Sequence, residues 1–446
     1  MAQKAKEELN KEENLILSKN IIKIYESYFL IIPNYYNIYR DLLNNIIYED
    51  SDNSFSLQYK LFYGIMASST LGSEYLLDDF KRIFLLLGGE KSWVEEGLKC
   101  ENIPEHIKGM ATINNILAHK PWIMDWRHFA GFKNGLSFFF FQSAIILTTI
   151  HRFASILSSL NLIIHNDIVE EEKREKKLEN NKMNKKKQIK ETKEEEEKIK
   201  NEIKDDEKED KKDDNITDLA LKKKKLKNSK METRIQKIIT SVKKNYTENK
   251  EEDEKKENKD TINKKEIFKK YISDLIISYT DFNPHIEKYL NIEDFDWKGN
   301  AKYFYFDYAG KEMEYLDKEF KFLEKINSED IKYIKKKLDI FKLRGAIEKY
   351  IALIFGIIDD QYNYHLTNEY IPVELKRIIK KIASGPEQIK EQELSSCLEI
   401  LSKEELIYLI FEVTSIRQRI SLTFFAKAFE DFTSNNILLN NNPIDN

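Results

Sequence analysis

The stretch Leu117–Leu157, LAHKPWIMDWRHFAGFKNGLSFFFFQSAIILTTIHRFASIL, decides the fold. Pro121 disfavours helical geometry at Lys120, so a helix ends near His119. Trp122, Trp126, Phe129 and Phe132 make an aromatic connection. After Gly135 an almost wholly apolar run reaches Leu147 and continues as a helix to about Leu160. A helix apolar on nearly every side is surrounded by other helices or by lipid. Gln142, Ser143, Thr148 and Thr149 lie in the run, and His151 and Arg152 close it. Its apolar core therefore falls short of the ~20 residues that cross a bilayer. The expectation is a central core helix, with the rest of the first half packed around it.

Working outward toward the N-terminus, the pattern from Asn14 to Tyr48 reads as two helices broken at Pro33, with Leu42, Leu43, Ile46 and Ile47 on one face. Tyr59–Ser69 is a short amphipathic helix. Leu76, Phe80, Ile83 and Leu87 share a stripe that stops at Gly88-Gly89, where glycine reaches left-handed geometry at no steric cost. Ser92 with Glu95 reads as a capping box, and Pro104 opens the helix that ends at His119. The N-terminus has no apolar signal region, which predicts an intracellular, soluble protein.

Beyond Asp167 the text becomes almost entirely Lys, Glu, Asp and Asn up to Lys265. Such a composition cannot bury enough apolar surface to offset chain entropy, so a largely disordered insertion is expected. No apolar a/d seam argues for a coiled coil there. The basic run Leu221–Lys227 reads as a solvated charge run, or as a nuclear address. Order resumes in a second helical body. It contains a helix from Leu338 to Gly356, striped by Ile340, Ile347, Ile351 and Ile354, and a last helix from Lys403 to Phe432. The resulting division is 14–165, a linker over 166–267, and 268–435, all-α throughout.

Composition excludes several functions. The net charge of -4 offers no basic field for nucleic acid. The two cysteines, Cys100 and Cys397, belong to no metal-binding or redox motif. There is no phosphate-cradling glycine loop, no HExxH and no nucleophile elbow. No metal and no cofactor are expected. His119, His128 and His151 read as structural imidazoles. Arg344 and Glu405 each fall on an apolar helical stripe, where a charge needs a partner. They form structural salt bridges, with each other or with local groups, or they flank a pocket and take the two ends of an amino acid.

Four stretches resemble the sestrin family: YGIMASSTLGSEYLLDDF with GGEKSWVEEGL; ILAHKPWIMDWRHFAGF with TTIHRFAS; LRGAIEKYIALIFGIIDDQYNY; and SGPEQ before the last helix. They cover roughly Ile21–Leu160 and Phe295–Phe432. The resemblance implies two AhpD-like helical halves and a stress-responsive regulator. Such a regulator senses an amino acid, in some members leucine, and restrains the TOR complex by binding a GATOR-type assembly. From the residues themselves a cytoplasmic protein without a membrane span is expected, with the basic run as the nuclear address. The resemblance also implies an alkyl hydroperoxide reductase-like Cys, Tyr and His set in the first half, which is the alternative, enzymatic reading. Residue by residue, that set falls on Ser73, Tyr75 and Phe80. Only the tyrosine is retained, so the expectation leans away from an enzyme. The leucine-pocket positions fall on Arg344 and Glu405, with the lid at Ser328, Ile331 and Ile340. The acidic pair that contacts the GATOR assembly falls on Asp359 and Asp360.

Overall fold

The computed structural model of the chain describes residues 25–49, 55–130, 137–164, 266–273, 289–327, 330–331 and 340–441. Pro33 does interrupt the first helical pattern. A helical segment over 25–29 stops, and Asn34 takes a φ of 66°, a left-handed geometry that asparagine tolerates. Helix α1 (Tyr35–Leu43) then runs into a π-helical turn, Asn44–Tyr48. Helix α2 (Leu57–Thr70) is capped by Ser56, whose Oγ accepts the Tyr59 N–H at 3.3 Å. From Lys60 to Thr70 every residue of α2 is buried. Helix α3 (Glu74–Leu86) packs along it and ends where Gly88 adopts a φ of 80°.

Helix α4 (Lys91–Glu96) corrects the expected capping box. Its cap is Glu90, Ser92 lies within the first turn, and Glu95 pairs with Lys91 at 2.6 Å. Helix α5 (Glu105–His119) starts after Pro104 as expected. Two 3-10 turns, Pro121–Ile123 and Trp126–Phe129, carry the aromatic connection. In the second of them, the backbone N–H of Asp125 donates to His128 Nδ1 at 3.1 Å, a structural use of that imidazole.

Helix α6, Ser137–Ile164, is longer than the sequence suggested. At 28 residues it is long and apolar enough to cross a membrane by length and composition, yet 89% of its most apolar window is buried inside the protein. Its polar residues are accommodated internally. Ser143 Oγ donates to Phe139 O (2.7 Å) and Thr148 Oγ1 to Ala144 O (2.8 Å), the back-bonding that lets hydroxyls sit in an apolar helix.

The second half begins with strand β1 (Leu290–Asn291) and a π-helical turn, Trp297–Ala301. Helices α7 (Lys302–Glu324) and α8 (Ile340–Ile354) follow. Strand β2 (Ile357–Ile358) pairs in parallel with β1, Leu290 opposite Ile357. This two-residue ladder is the one departure from an all-helical fold among the described residues. Helices α9 (His365–Tyr370), α10 (Val373–Ser384) and α11 (Glu391–Ile400) lead to α12, which extends from Lys403 to Asn441. The predicted stripe on α12, Leu406, Ile410, Val413, Ile416, Ile420 and Phe424, is buried throughout.

The two helical halves share one core. Phe141 of α6 lies 5.4 Å from Phe425 and 5.0 Å from Phe429 of α12. Beside these rings, Arg152 of α6 forms a two-pronged ion pair with Glu319 of α7, both contacts at 2.6 Å and both side chains almost wholly shielded from solvent. Tyr35 of α1 donates to the same carboxylate at 2.8 Å. Gln418 of α12 ties this group to Thr148 and Thr149. The chain accordingly divides into one compact unit, Met1–Asp167 with Phe268–Asn446, and a second, Ile168–Ile267. The charged insertion, apart from Glu266 and Ile267, lies outside the described residues.

Candidate functional site

Three positions in the first half and a charged group in the second are the candidates. Ser73 sits just before α3, and its N–H donates to Ser68 O at 2.9 Å. Tyr75 is 57% exposed, whereas Phe80 is fully buried. Five residues of helix turn the direction of a side chain by about 140°, so Tyr75 faces solvent while Phe80 faces α2. There the Phe80 ring fills the space over Gly64, where an added Cβ would come within 2.3 Å of it. Burial, then Asp79, raises the Tyr75 hydroxyl above its ordinary pKa. The Tyr75 and Phe80 side chains thus leave α3 on different faces, one exposed and one buried. Cys100 and Cys397 are both free and buried, and burial, then Glu374, pushes the Cys397 thiol up to about 12.

A buried polar cluster lies behind this surface. Thr70 at the end of α2 binds Asn115 (3.0 Å) and Asn114 (2.8 Å) of α5. Asn114 Oδ1 lies 2.8 Å from His151 Nε2. Burial, then His119 and Arg417, holds the His151 imidazole well below its ordinary pKa. His119 is lowered to about 3, by burial first and then by Arg417. Arg417 of α12 donates to Leu117 O and Ala118 O, both at 3.1 Å, and lies 4.1 Å over the Phe355 ring. The carbonyls that end α5 thus find their donor in the second half. These imidazoles are neutral, structural groups.

In the second half Arg344 is buried on α8, as its place on the stripe predicted. Its partners are not Glu405. Nη1 donates to Glu324 O at 2.5 Å and Nη2 to Ile326 O at 2.8 Å, so the guanidinium caps the end of α7. Nε and Nη2 also donate to Tyr408 Oη at 3.1 and 2.7 Å, and Glu412 Oε1 stands 3.5 Å from Nε. Burial raises the Glu412 carboxyl above its ordinary range, opposed by Arg344 and Arg419. Arg419 in turn pairs with Glu324 at 2.9 Å.

Glu405 is buried one turn earlier on α12. Its Oε2 accepts the Ser402 N–H at 2.6 Å while Ser402 Oγ accepts the Glu405 N–H at 3.1 Å, a reciprocal capping box. Of the lid positions, Ile331 and Ile340 are buried, and Ser328 lies outside the described residues. Tyr408, Glu412 and Arg419 were missed by the sequence reading. Their spacing, i, i+4 and i+11, gave little signal, because the same buried helix also carries Thr414, Ser415, Arg417, Gln418, Ser421 and Thr423.

The acidic turn follows β2. Lys349 Nζ pairs with Asp359 at 2.5 Å, and the backbone N–H of Asp359 donates to Tyr364 Oη at 3.0 Å. Burial raises the Asp359 carboxyl, but Lys349 outweighs it and holds the group below its usual range. Asp360 is exposed and accepts Asn291 Nδ2 at 2.6 Å. Only one of the two acids therefore offers an unneutralised charge to solvent. Among the described residues no group of three or more His, Cys, Asp or Glu is placed to hold a metal ion.

The comparisons with known proteins agree with the resemblance. The family model described as PA26 p53-induced protein (sestrin) matches residues 1–432. Sestrin-1 of Mus musculus is 23% identical over 384 residues, 84% of this chain and 77% of that protein. A sestrin homolog of Dictyostelium discoideum is 25% identical over 165 residues, 35% of this chain and only 26% of its own length. Sestrin-1 of Macaca fascicularis reaches 34% identity over 80 residues, 18% of this chain and 16% of that protein. With a profile that runs through both helical halves, the chain belongs to the PA26 p53-induced protein (sestrin) family.

Proposed function

We propose that this stress-response protein works by binding rather than by turnover. It takes an amino acid, leucine first, in its second half, and restrains TOR-complex signalling by holding a GATOR-type complex through the turn at Asp359 and Asp360. It does so in the cytoplasm and nucleus, without spanning a membrane or binding nucleic acid.

The observation that carries this reading is the pairing of Ser73 with a fully buried Phe80. Peroxide reduction needs a thiolate that attacks the O–O bond and becomes a sulfenic acid. A serine hydroxyl cannot take that oxidation state, and a phenylalanine ring relays no proton. Both cysteines of the chain are buried. What the family membership leaves is recognition. Arg344 is the buried cation for a ligand carboxylate, and Glu405 at the first turn of α12 is the anion for its ammonium. Ile331 and Ile340 supply apolar wall.

The test is an affinity pull-down of GATOR-type subunits with the full-length chain, with and without leucine. Capture that falls on adding leucine, and that no longer responds in Arg344→Ala, is the expected result. Capture of no such subunit, together with sustained Cys100-dependent consumption of cumene hydroperoxide, would overturn it in favour of an antioxidant enzyme.

A further inference from the structure

A guanidinium receives a carboxylate through a pair of parallel N–H donors. On Arg344 both usable edges are filled from inside the protein. The Nη1/Nη2 edge holds Glu324 O and Ile326 O, at 2.5 and 2.8 Å. The Nε/Nη2 edge holds the single oxygen of Tyr408, at 3.1 and 2.7 Å. The two occupants differ in kind. The carbonyls belong to the end of α7 and move only with the backbone, whereas the phenol can turn about its own side-chain bonds.

Behind the phenol stands Glu412. Its Oε2 accepts the Tyr408 hydroxyl at 3.3 Å, and its Oε1 lies 3.5 Å from Arg344 Nε. Tyr408 and Glu412 are four residues apart on α12, on one face, so a single helix delivers both the plug and its counter-charge. The guanidinium is thereby coordinated, and faced by a carboxylate, from the protein's own groups.

We propose that Tyr408, backed by Glu412, is the resident occupant of the carboxylate-binding edge of Arg344, and that a small carboxylate enters by displacing this phenol. The proposal rests on the amino-acid reading of Arg344 given above and adds the residue that sets its affinity.

Calorimetry on the full-length chain separates the two. The probes are L-leucine, L-methionine and 4-methylpentanoate, which has leucine's carbon skeleton and carboxylate but no ammonium. Tyr408→Phe keeps the ring and removes only the oxygen. It binds at least one probe about tenfold more tightly than the wild type, the worth of one displaced hydrogen bond to a charged group. In the wild type, 3-fluorotyrosine placed at 408 shifts its fluorine resonance as that probe saturates.

Equal affinity of wild type and Tyr408→Phe overturns the plug and leaves the amino-acid site standing. Binding by neither overturns both. If Tyr408→Phe does not fold, the fluorine signal of the labelled wild type decides alone, and a signal unchanged at 10 mM leucine, about ten times a weak millimolar Kd, overturns the proposal.

Discussion

His151 is a basic group kept neutral by its surroundings. Its Nε2 meets Asn114 Oδ1 at 2.8 Å, its Nδ1 has no hydrogen-bond partner, and Arg417 and His119 both oppose a proton there. An unfolded histidine titrates near 6.5, so above that pH neither state is charged and stability is unaffected. As the pH falls below about 6.5, the unfolded chain takes a proton that the folded chain refuses. Stability then declines by about 1.4 kcal/mol per pH unit for each such imidazole. His119, lowered to about 3, adds to the same slope. His151→Gln keeps an N–H for Asn114 and removes the titration. Urea unfolding at pH 7, 6 and 5 is expected to show a slope shallower by about one proton in this variant, and an identical slope would mean that His151 protonates freely in the fold. At this scale the sequence was only partly readable. That Arg344 is buried follows from its helical stripe. That it meets Tyr408 and Glu412 rather than Glu405 depends on where α8 crosses α12, which no local pattern encodes.

Helices α2 and α3 pack closely along one another. Gly64 leaves a gap in α2, and Phe80 of α3 fills it so completely that a methyl at Gly64 would overlap the ring, at 2.3 Å. Close-packed interiors resist added volume, so Gly64→Ala should cost about 1–3 kcal/mol despite alanine's better helix propensity. Phe80→His, which would return the imidazole implied by the resemblance, meets the same constraint. It buries a polar ring in an apolar slot at about 2–4 kcal/mol. Urea midpoints of the two variants check both figures, and an unchanged midpoint for Gly64→Ala would mean that α3 shifts away without penalty. The element boundaries themselves were largely readable, because Pro33, Gly88, Pro104 and Pro121 act locally on the backbone. The capping box at Ser92 failed because Gly88-Gly89 lets the chain re-enter a helix two residues earlier than that motif requires. The extent of α6 was underread by about four residues at its end, Asn161–Ile164, where no proline or glycine marks a stop.

At the scale of the whole molecule, the decisive contacts run between the halves. Arg152 and Glu319, 167 positions apart, are both shielded and bind through two parallel contacts at 2.6 Å. Removing one member of such a pair strands a buried charge, at about 3–5 kcal/mol, whereas replacing both with apolar groups of similar volume is often neutral. Arg417 likewise caps α5 from α12, and Phe141 inserts between α7 and α12. Each half on its own therefore exposes groups that only the other satisfies. Segments 14–165 and 268–435 made separately should not fold, while the intact chain should melt the described core in one cooperative transition. Glu319→Ala should lower that transition, and Arg152→Met with Glu319→Leu should recover most of the loss. Calorimetry and urea unfolding of these chains provide the check. Two resolved transitions, or a folded 14–165 fragment with Arg152 exposed, would show that the halves are independent bodies and that the ion pair merely joins them. The alternative that the sequence suggested, two halves joined through a charged linker, follows from composition along the chain. The shared core does not, because it is built from residues that neither half needs for its own helices.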